Sequence, residues 1–437
     1  MPSTHPRDVA CRFLFEAARA YPELYPRPID ARELDDRDRR LAEAIVRSTL
    51  SRWTTLETIL QHALDRPWKD IDARVQGALL SGATQLFLLD RVPDHAVVAE
   101  TVEWTKRHGK RKGAAGMVNA VLRRLIELRG ERIEVADGRA RNHLLLADGS
   151  GWQLEGDVFA QEPAARIAQQ SGHASMLIQR WWAQHGEATA TELALHGLCA
   201  PPIILHGAGA DPALAPHDEA GFQVLQDQDH HLSEVLERHP GAMVQDPTTS
   251  NAVRRTMGLS PKVVLDYCAG RGTKTRQLAA VHPDARIIAT DVDEVRFDAL
   301  TELAATSERI EVVEPDEARA MIGAVDLLVL DVPCSNTGVL PRRPEARLRF
   351  SMAGLETLVG MQRQIFADTI PCLAPAAHVL YSTCSLEPEE NEQMPAWLAK
   401  WHGWEVADET RMMPRGLPGD GPDRYCDGGY AALMKTH

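Results

Sequence analysis

Residues Lys262–Val281 read KVVLDYCAGRGTKTRQLAAV. A short apolar run ends at Asp266, a turn with two glycines follows, and apolar residues then recur at helical spacing. The stretch predicts a strand, a tight turn and a helix. Gly270 and Gly272 let the backbone bend sharply and approach a ligand closely. The turn is not a G-x-x-x-x-G-K-[ST] phosphate loop, because its first glycine lies too near Lys274. Nor does it match G-x-G-x-x-G well. It suits a nucleoside-type cofactor, with an ordinary strand–helix turn as the plainer alternative.

The same rhythm continues towards the C-terminus. ARIIATDVD (Ala285–Asp293), RIEVVEPD (Arg309–Asp316), VDLLVLDVPCS (Val325–Ser335) and HVLYSTC (His378–Cys384) read as strands. EVRFDALTELAAT and LETLVGMQRQIFADTIPCL read as helices between them. Short apolar strands alternating with helices predict a parallel, doubly wound α/β domain over residues 244–437. Ligands of such sheets sit outside the carboxyl ends of the strands.

Several of those ends carry chemistry. Asp291 closes the second strand about 20 residues past the glycine turn, where a carboxylate can accept from a ribose diol. It could equally be a cap-forming turn residue, a role Asp293 can serve. Asp316 ends the third strand, within reach of an adenine edge if the strands are ordered as usual; most strand-end aspartates are only turn formers. The fourth strand delivers Asp331, then Pro333 and Cys334. The fifth ends at Cys384 in YSTCSLEPEENE (Tyr381–Glu392), where an acidic patch follows the thiol at once. Two thiols at strand ends beside a nucleoside site suggest nucleophilic catalysis. One reactive and one packing cysteine is the other reading.

Upstream the pattern differs. Residues 1–130 read as helices, among them RDRRLAEAIVRSTLSRWTTLETILQHAL and AAGMVNAVLRRLIELR, with Asp94 a candidate cap. Residues 131–165 are punctuated by Gly, Asp and Asn and suit a linker or a small hairpin insertion. Residues 166–243 combine two helical segments with the strand-like PPIILHG and predict a small α+β subdomain.

Composition bounds the partners. The chain has 437 residues, 44% hydrophobic and 25% charged, enough for two or three packed domains. Its net charge of −14 argues against a general nucleic-acid binder. Yet residues 1–130 hold 22 Lys+Arg against 18 Asp+Glu, and KRHGKRK spans Lys106–Lys112. An anionic partner would be met there, unless the cluster is simply a solvated helix end. No apolar run approaches a membrane span, and MPSTHPRDVACRFLF shows no leader pattern. The seven cysteines are scattered with no C-x-x-C, which supports neither a metal site nor a disulfide framework. A cytoplasmic monomer without metal is expected.

One reaction needs this set of groups. Carbon 5 of cytosine is a poor nucleophile. A thiolate adding to carbon 6 makes it enamine-like, and it can then take a methyl group from a sulfonium. An acid near ring N3, here Asp331, stabilises the adduct. Lys274 or a helix N-terminus could favour the thiolate against its acidic neighbours.

LDYCAGRGTKT, LDVPCSNTGVL and YSTCSLEPEENE together resemble the RNA cytosine-C5 methyltransferase family, in its Sun/Fmu-type ribosomal branch. VQDPTTS (Val244–Ser250) extends the resemblance. RDRRLAEAIVRSTL, DRVPDHAVVAETVEW and GAAGMVNAVLRRL are similar to the NusB-like domain of that branch. The resemblance implies a multidomain chain: an all-α NusB-like domain, a small α+β RNA-binding subdomain, and a Rossmann-like domain that binds S-adenosylmethionine. It implies RNA as partner, specifically small-subunit (16S) ribosomal RNA. By motif, Cys384 matches the nucleophile, Cys334 the cysteine that helps release product, and Asp331 the acid on the target base. Cys268, Ala269, Gly270, Arg271, Gly272, Thr273 and Lys274 map to the cofactor turn, with Asp291 at the ribose, Asp316 near the adenine, and Asp331 also bordering the cofactor. The sequence departs from the family pattern in CAGRGTKT, where C-A-A-P-G-G-K-T is usual, and at Pro341, where an arginine is usual. Two other readings compete: a DNA cytosine-C5 methyltransferase, in which the cysteine after proline attacks, and a non-catalytic RNA-binding assembly factor on the same fold.

Overall fold

The strand, turn and helix expected from Lys262–Val281 form as Val263–Asp266, a turn with Gly270 and Gly272 at positive φ, and the helix Thr273–Val281. They belong to a computed structural model that describes residues 5–89, 92–226 and 231–436. Asp90 and Arg91 of the DRVPDHAVVAETVEW segment lie outside the described residues, as do residues 1–4 of the stretch read for a leader. The chain divides into two compact units. One comprises residues 1–200, 340–351 and 417–420; the other comprises 201–339, 352–416 and 421–437.

The first unit is mainly helical. Helices α1 (Pro6–Ala20), α2 (Asp36–Ser51), α3 (Trp53–Ala63), α4 (Ala73–Leu88), α5 (Asp94–His108) and α6 (Ala114–Leu128) precede three short strands. These strands, β1 (Glu131–Ile133), β2 (His143–Leu145) and β3 (Gly151–Gln153), pair antiparallel in the order β1-β3-β2. Helices α7 (Pro163–Ser171) and α8 (Ser175–His196) follow. Gly186, at φ +80°, kinks α8 where the sequence suggested two helical segments. The apolar faces of α1–α6 meet around Leu14, Ile45, Trp53, Leu56, Leu79, Val118 and Leu122, all buried. Asp94 is the first residue of α5 rather than its cap, because its carboxylate is taken up by Arg129 at 2.7 Å.

Residues 340–351 join this unit through Arg347, which is fully buried. Its guanidinium donates to the carbonyls of Ser51 (2.9 Å), Ser171 (3.1 Å), Gly197 (2.8 Å) and Leu340 (3.0 Å). Arg52, also buried, donates to Leu145 and Gln170 carbonyls at 2.8 and 3.0 Å. Removing one such cation leaves several buried carbonyls unpaired. Arg347→Met is therefore expected to destabilise this unit by roughly 3 kcal/mol or more. Calorimetry should show a fall of about 6 °C or more in its unfolding midpoint.

The second unit opens with a four-stranded antiparallel sheet, order β5-β6-β4-β7. Its strands are β4 (Ile204–His206), β5 (Leu214–Pro216), β6 (Phe222–Leu225) and β7 (Met243–Val244), with helix α9 (Leu232–Arg238) before β7. Helix α10 (Pro247–Arg254), capped by Asp246, leads into the large sheet. There β8 (Val263–Asp266), α11 (Thr273–Val281), β9 (Arg286–Ala289), α12 (Glu294–Ala304), β10 (Ile310–Val312), α13 (Pro315–Arg319) and β11 (Val325–Asp331) alternate. Helix α14 (Ala346–Arg349) belongs to the first unit; α15 (Met352–Thr369), β12 (Leu373–Thr383), α16 (Gln393–His402), β13 (Glu405–Met412) and β14 (Gly429–Lys435) complete the second.

The seven strands run in the order β10-β9-β8-β11-β12-β14-β13. The first five are parallel, as the alternation predicts, but β14 pairs antiparallel with β12 and β13 antiparallel with β14. The sheet is thus mixed rather than purely parallel. A hairpin can extend a parallel sheet at its edge because antiparallel neighbours need no crossover helix. The central strands β8 and β11 are apolar on both faces, as double coverage requires.

Candidate active site

Adjacent parallel strands β11 and β12 place Asp331 opposite Ser382. The chain leaving Asp331 reaches Cys334 in three residues, and the chain leaving Ser382 reaches Cys384 in two. The two sulfurs lie 3.2 Å apart. Cys334 is buried and Cys384 half-buried. The loops are drawn together at Gly338, whose amide donates to the Cys384 carbonyl (2.9 Å) and whose carbonyl accepts from the Gly428 amide (2.7 Å). A Cβ at Gly338 would come within 2.5 Å of the Gly428 oxygen and 2.9 Å of the Cys384 oxygen, so only glycine permits this approach.

The thiols are not equivalent. The hydrogen bond to Cys384 and then burial push Cys334 well above the usual thiol range, so Cys334 retains its proton. Lys274, in the first turn of α11, forms an ion pair with Asp331 at 2.7 Å. Burial works against the Lys274 charge, but Asp331, Cys384 and Asp266 more than offset it and raise the lysine above its ordinary value. Ser382 Oγ donates to the other oxygen of Asp331 at 2.8 Å. Four of the sequence-predicted residues, Lys274, Asp331, Cys334 and Cys384, therefore gather at the carboxyl ends of β8, β11 and β12.

The acidic run after Cys384 does not surround the thiol with solvated charge. Glu387, Glu390 and Asn391 are fully buried. The Glu390 carboxylate accepts from the Ser335 amide (2.9 and 3.2 Å), from Ser335 Oγ (2.6 Å) and from Gln362 Nε2 (3.1 Å). Gln362 Nε2 also donates to the Pro333 carbonyl at 2.9 Å, so Cys334 is held from both sides. Tyr381 Oη donates to the Glu390 carbonyl at 2.6 Å, and Asn391 joins Thr383 Oγ1 (2.6 Å) to the Ser385 carbonyl (2.9 Å). Burial raises the Glu390 carboxyl above its ordinary value, while its serine donors work the other way.

Sequence reasoning missed Glu390, Gln362 and Asn336. A carboxylate in an acidic run reads as solvated, and nothing local announces a serine donor 55 residues upstream. The usable signal is the mixture of acids and an amide directly after a strand-end cysteine. Because the groups bonded to the Glu390 carboxylate act as donors, an amide there must turn its NH2 towards one of them. Glu390→Gln is expected to cost about 1–3 kcal/mol, read as a lower urea midpoint with unchanged slope.

The first two strand ends form the other half of the rim. Gly270 (φ +60°) has open space around its missing side chain, whereas a Cβ at Gly272 (φ +84°) would meet Leu303 at 2.4 Å. Asp291 Oδ2 accepts from the Gly270 amide (2.9 Å) and Oδ1 from the Asp293 amide (3.0 Å), which leaves lone pairs for a diol. Two buried polar atoms here, Asp266 Oδ1 and Thr290 Oγ1, lack a partner. Open space at Gly270, a carboxylate with spare acceptor capacity and these orphaned atoms fit a nucleoside bearing an amino-acid moiety. Cys268, on the turn, is raised by burial and by Asp291, Asp266 and Asp331, and so stays a thiol. Asp316 lies in α13, largely exposed and paired with Arg319, which also donates to Tyr267 Oη at 2.8 Å. Ala269 and Arg271 line the turn, and Thr273 opens α11.

Burial is the main force raising Asp266, to about 7. In the unfolded chain this carboxyl ionises near 4. Between those values the folded state holds the extra proton, so stability falls as pH rises from about 4 through 7. Asp266→Asn is expected to flatten that slope in unfolding midpoints measured from pH 4 to 8.

Among the described residues, no group of three His, Cys, Asp or Glu is placed to hold a metal, and no helix is long and apolar enough to cross a membrane. Residues 258–416 match the family described as 16S rRNA methyltransferase RsmB/F, and residues 4–127 match the NusB family. The ribosomal RNA small subunit methyltransferase B of Xanthomonas campestris is 29% identical, over 92% of this chain and 89% of that protein. The protein of the same name from Pseudomonas putida is 29% identical, over 86% of this chain and 84% of its own length. The crystal structure of PH0851 covers 100% of both chains with a TM-score of 0.69 at 16% identity. A methyltransferase homolog from Pyrococcus horikoshii covers 64% of this chain and 100% of its own, with a TM-score of 0.51 at 18% identity.

Proposed function

We propose, for a methyltransferase whose residues 258–416 match the RsmB/F family and whose residues 4–127 match the NusB family, that it methylates C5 of a cytosine in small-subunit ribosomal RNA through a transient bond from Cys384 to C6. The observation that carries this reading is the pair of sulfurs 3.2 Å apart at the ends of neighbouring strands, beside the Lys274–Asp331 ion pair. S-adenosylmethionine, when bound, supplies an electrophilic methyl group. The Cys268–Lys274 turn, Asp291 and Asp316 would hold it, with Asp331 at its border.

Cys384 is the sulfur able to attack, because it is the more exposed of the two, whereas Cys334 is buried and held on its proton by its hydrogen bond to Cys384 and by burial. Addition of the thiolate to C6 moves electron density to C5. The proton released as the Cys384 thiol ionises passes to the Asp331 carboxylate, which donates it to ring N3 and so stabilises that adduct, and Lys274 holds Asp331 in place. After transfer, the C5 proton leaves to a base and the C6–S bond breaks, returning the electron pair to sulfur. Cys334, next to that sulfur, assists its departure. Resting the catalytic groups on strand ends keeps their spacing rigid.

The assay is tritium release from RNA labelled at cytosine C5. Release that requires S-adenosylmethionine supports the reading. Methyl transfer to RNA without tritium release would place the methyl group on another atom and overturn it. Comparing 5-methylcytosine in ribosomal RNA from cells with and without the chain would locate the target.

A further inference from the structure

Asn336 has no part in the reaction as described above, yet it touches the reacting sulfur. Its Oδ1 lies 3.2 Å from Cys384 Sγ, and its Nδ2 donates to the Cys334 carbonyl at 2.8 Å. It is one of two non-glycine residues with positive φ among the described residues, at +60°. Asparagine tolerates that conformation better than most side chains.

The polarity of this contact follows from its partners. The Cys334 carbonyl can only accept, so the amide NH2 faces it and Oδ1 faces Cys384. An amide oxygen can only accept as well, so Cys384 must bring the proton. The Cys384 lone pairs then take the S–H of Cys334 across the 3.2 Å gap. The hydrogen bonds close into a ring: Cys334 thiol to Cys384 sulfur, Cys384 thiol to Asn336 Oδ1, Asn336 Nδ2 to Cys334 carbonyl. Ionising Cys384 within this ring would set a sulfur anion against an amide oxygen.

We propose that Asn336 parks the Cys384 nucleophile as a neutral thiol, and that the parked state ends when an entering pyrimidine breaks the Sγ–Oδ1 contact. The role of Cys384 as nucleophile is taken from the proposed function. The parking does not depend on it, since it concerns the protein without RNA. The other ionisable groups facing this sulfur are Cys334 and Lys274, with Asp331 behind the lysine and Glu390 behind the Cys334 turn. Asn336 meets the sulfur directly through its acceptor oxygen, while Lys274 is ion-paired with Asp331. The resting enzyme is thereby protected from stray electrophiles while the lysine remains in place for the adduct.

The test is iodoacetamide alkylation of Cys384 in the full-length protein without RNA, at pH 7, followed by peptide mass mapping. Only the thiolate reacts at an appreciable rate. Asn336→Gly removes the acceptor and suits φ +60° without strain, so the turn persists. It is expected to speed Cys384 alkylation about fivefold, the worth of one neutral hydrogen bond. Asn336→Asp keeps an acceptor and adds negative charge, and is expected to slow it. An unchanged or slower rate in Asn336→Gly, or a shift in the same direction in both variants, would overturn the proposal. If parking holds but Cys384→Ala still methylates RNA, the fault lies in the nucleophile assignment and not in Asn336.

Discussion

Replacing Cys384 with alanine is expected to lower methyl transfer to RNA by roughly four orders of magnitude or more, which corresponds to about 5 kcal/mol of lost transition-state stabilisation. The size of the effect follows from the chemistry. Without a sulfur bonded to C6, carbon 5 keeps its aromatic character and offers no electron pair. On the proposed reading the neighbouring sulfur is no substitute. Cys334 is adjacent but buried and held protonated, and its turn is fixed by Glu390 and Gln362. Binding of RNA and of S-adenosylmethionine should be unaffected within about twofold, because the variant removes only a sulfur atom. Full tritium release by Cys384→Ala would remove the residue from the reaction.

The second large effect is expected at Cys334. Cys334→Ala should form the covalent RNA adduct and then fail to resolve it, so a shifted band should accumulate on denaturing gels in the presence of S-adenosylmethionine. Turnover is expected to fall about 10²–10⁴-fold, the range for loss of a positioned proton-transfer group. Two outcomes separate this from a structural role. A mere packing cysteine would yield no adduct and near-normal turnover. If Cys334 were itself the attacking sulfur, as in the DNA-methyltransferase reading, its alanine variant would form no adduct while Cys384→Ala still would.

The strand ends that bear these groups could be read from sequence because each carries an apolar run bounded by a turn. Val263–Asp266, Arg286–Ala289 and Val325–Asp331 are strands for the reason the sequence suggests, burial on both faces. The antiparallel edge could not be read that way. EVADETRM in β13 has five polar residues of eight and is mostly exposed because it lies at the edge of the sheet. GYAALMK in β14 is buried but stands alone after a loop rich in Gly and Pro. Likewise, residues 131–153 form a small sheet from three-residue strands too short to show a period.

The site divides in the same way. Cysteines and aspartates at strand ends announce themselves, whereas the residues that hold them do not. Glu390 and Asn336 have roles decided by long-range neighbours: the Ser335 turn packs against the segment after β12, and the Cys384 sulfur arrives from a different strand. Their local sequences, EPEENE and CSNTG, read only as a charged surface and a turn. Asp316 shows the converse. Its position after the third strand marks it out, yet it is largely exposed and already paired with Arg319.

The proposed bond between a cysteine sulfur and the base is tested most directly by trapping it. RNA containing 5-fluorocytidine blocks the final elimination, because fluorine cannot leave C5 as a cation. The protein–RNA adduct formed with S-adenosylmethionine would be digested and the modified cysteine located by mass spectrometry. The expected result is a nucleotide on Cys384, with Cys334 unmodified. A nucleotide on Cys334, or methylation of ordinary RNA with no trapped adduct on either cysteine, would contradict it.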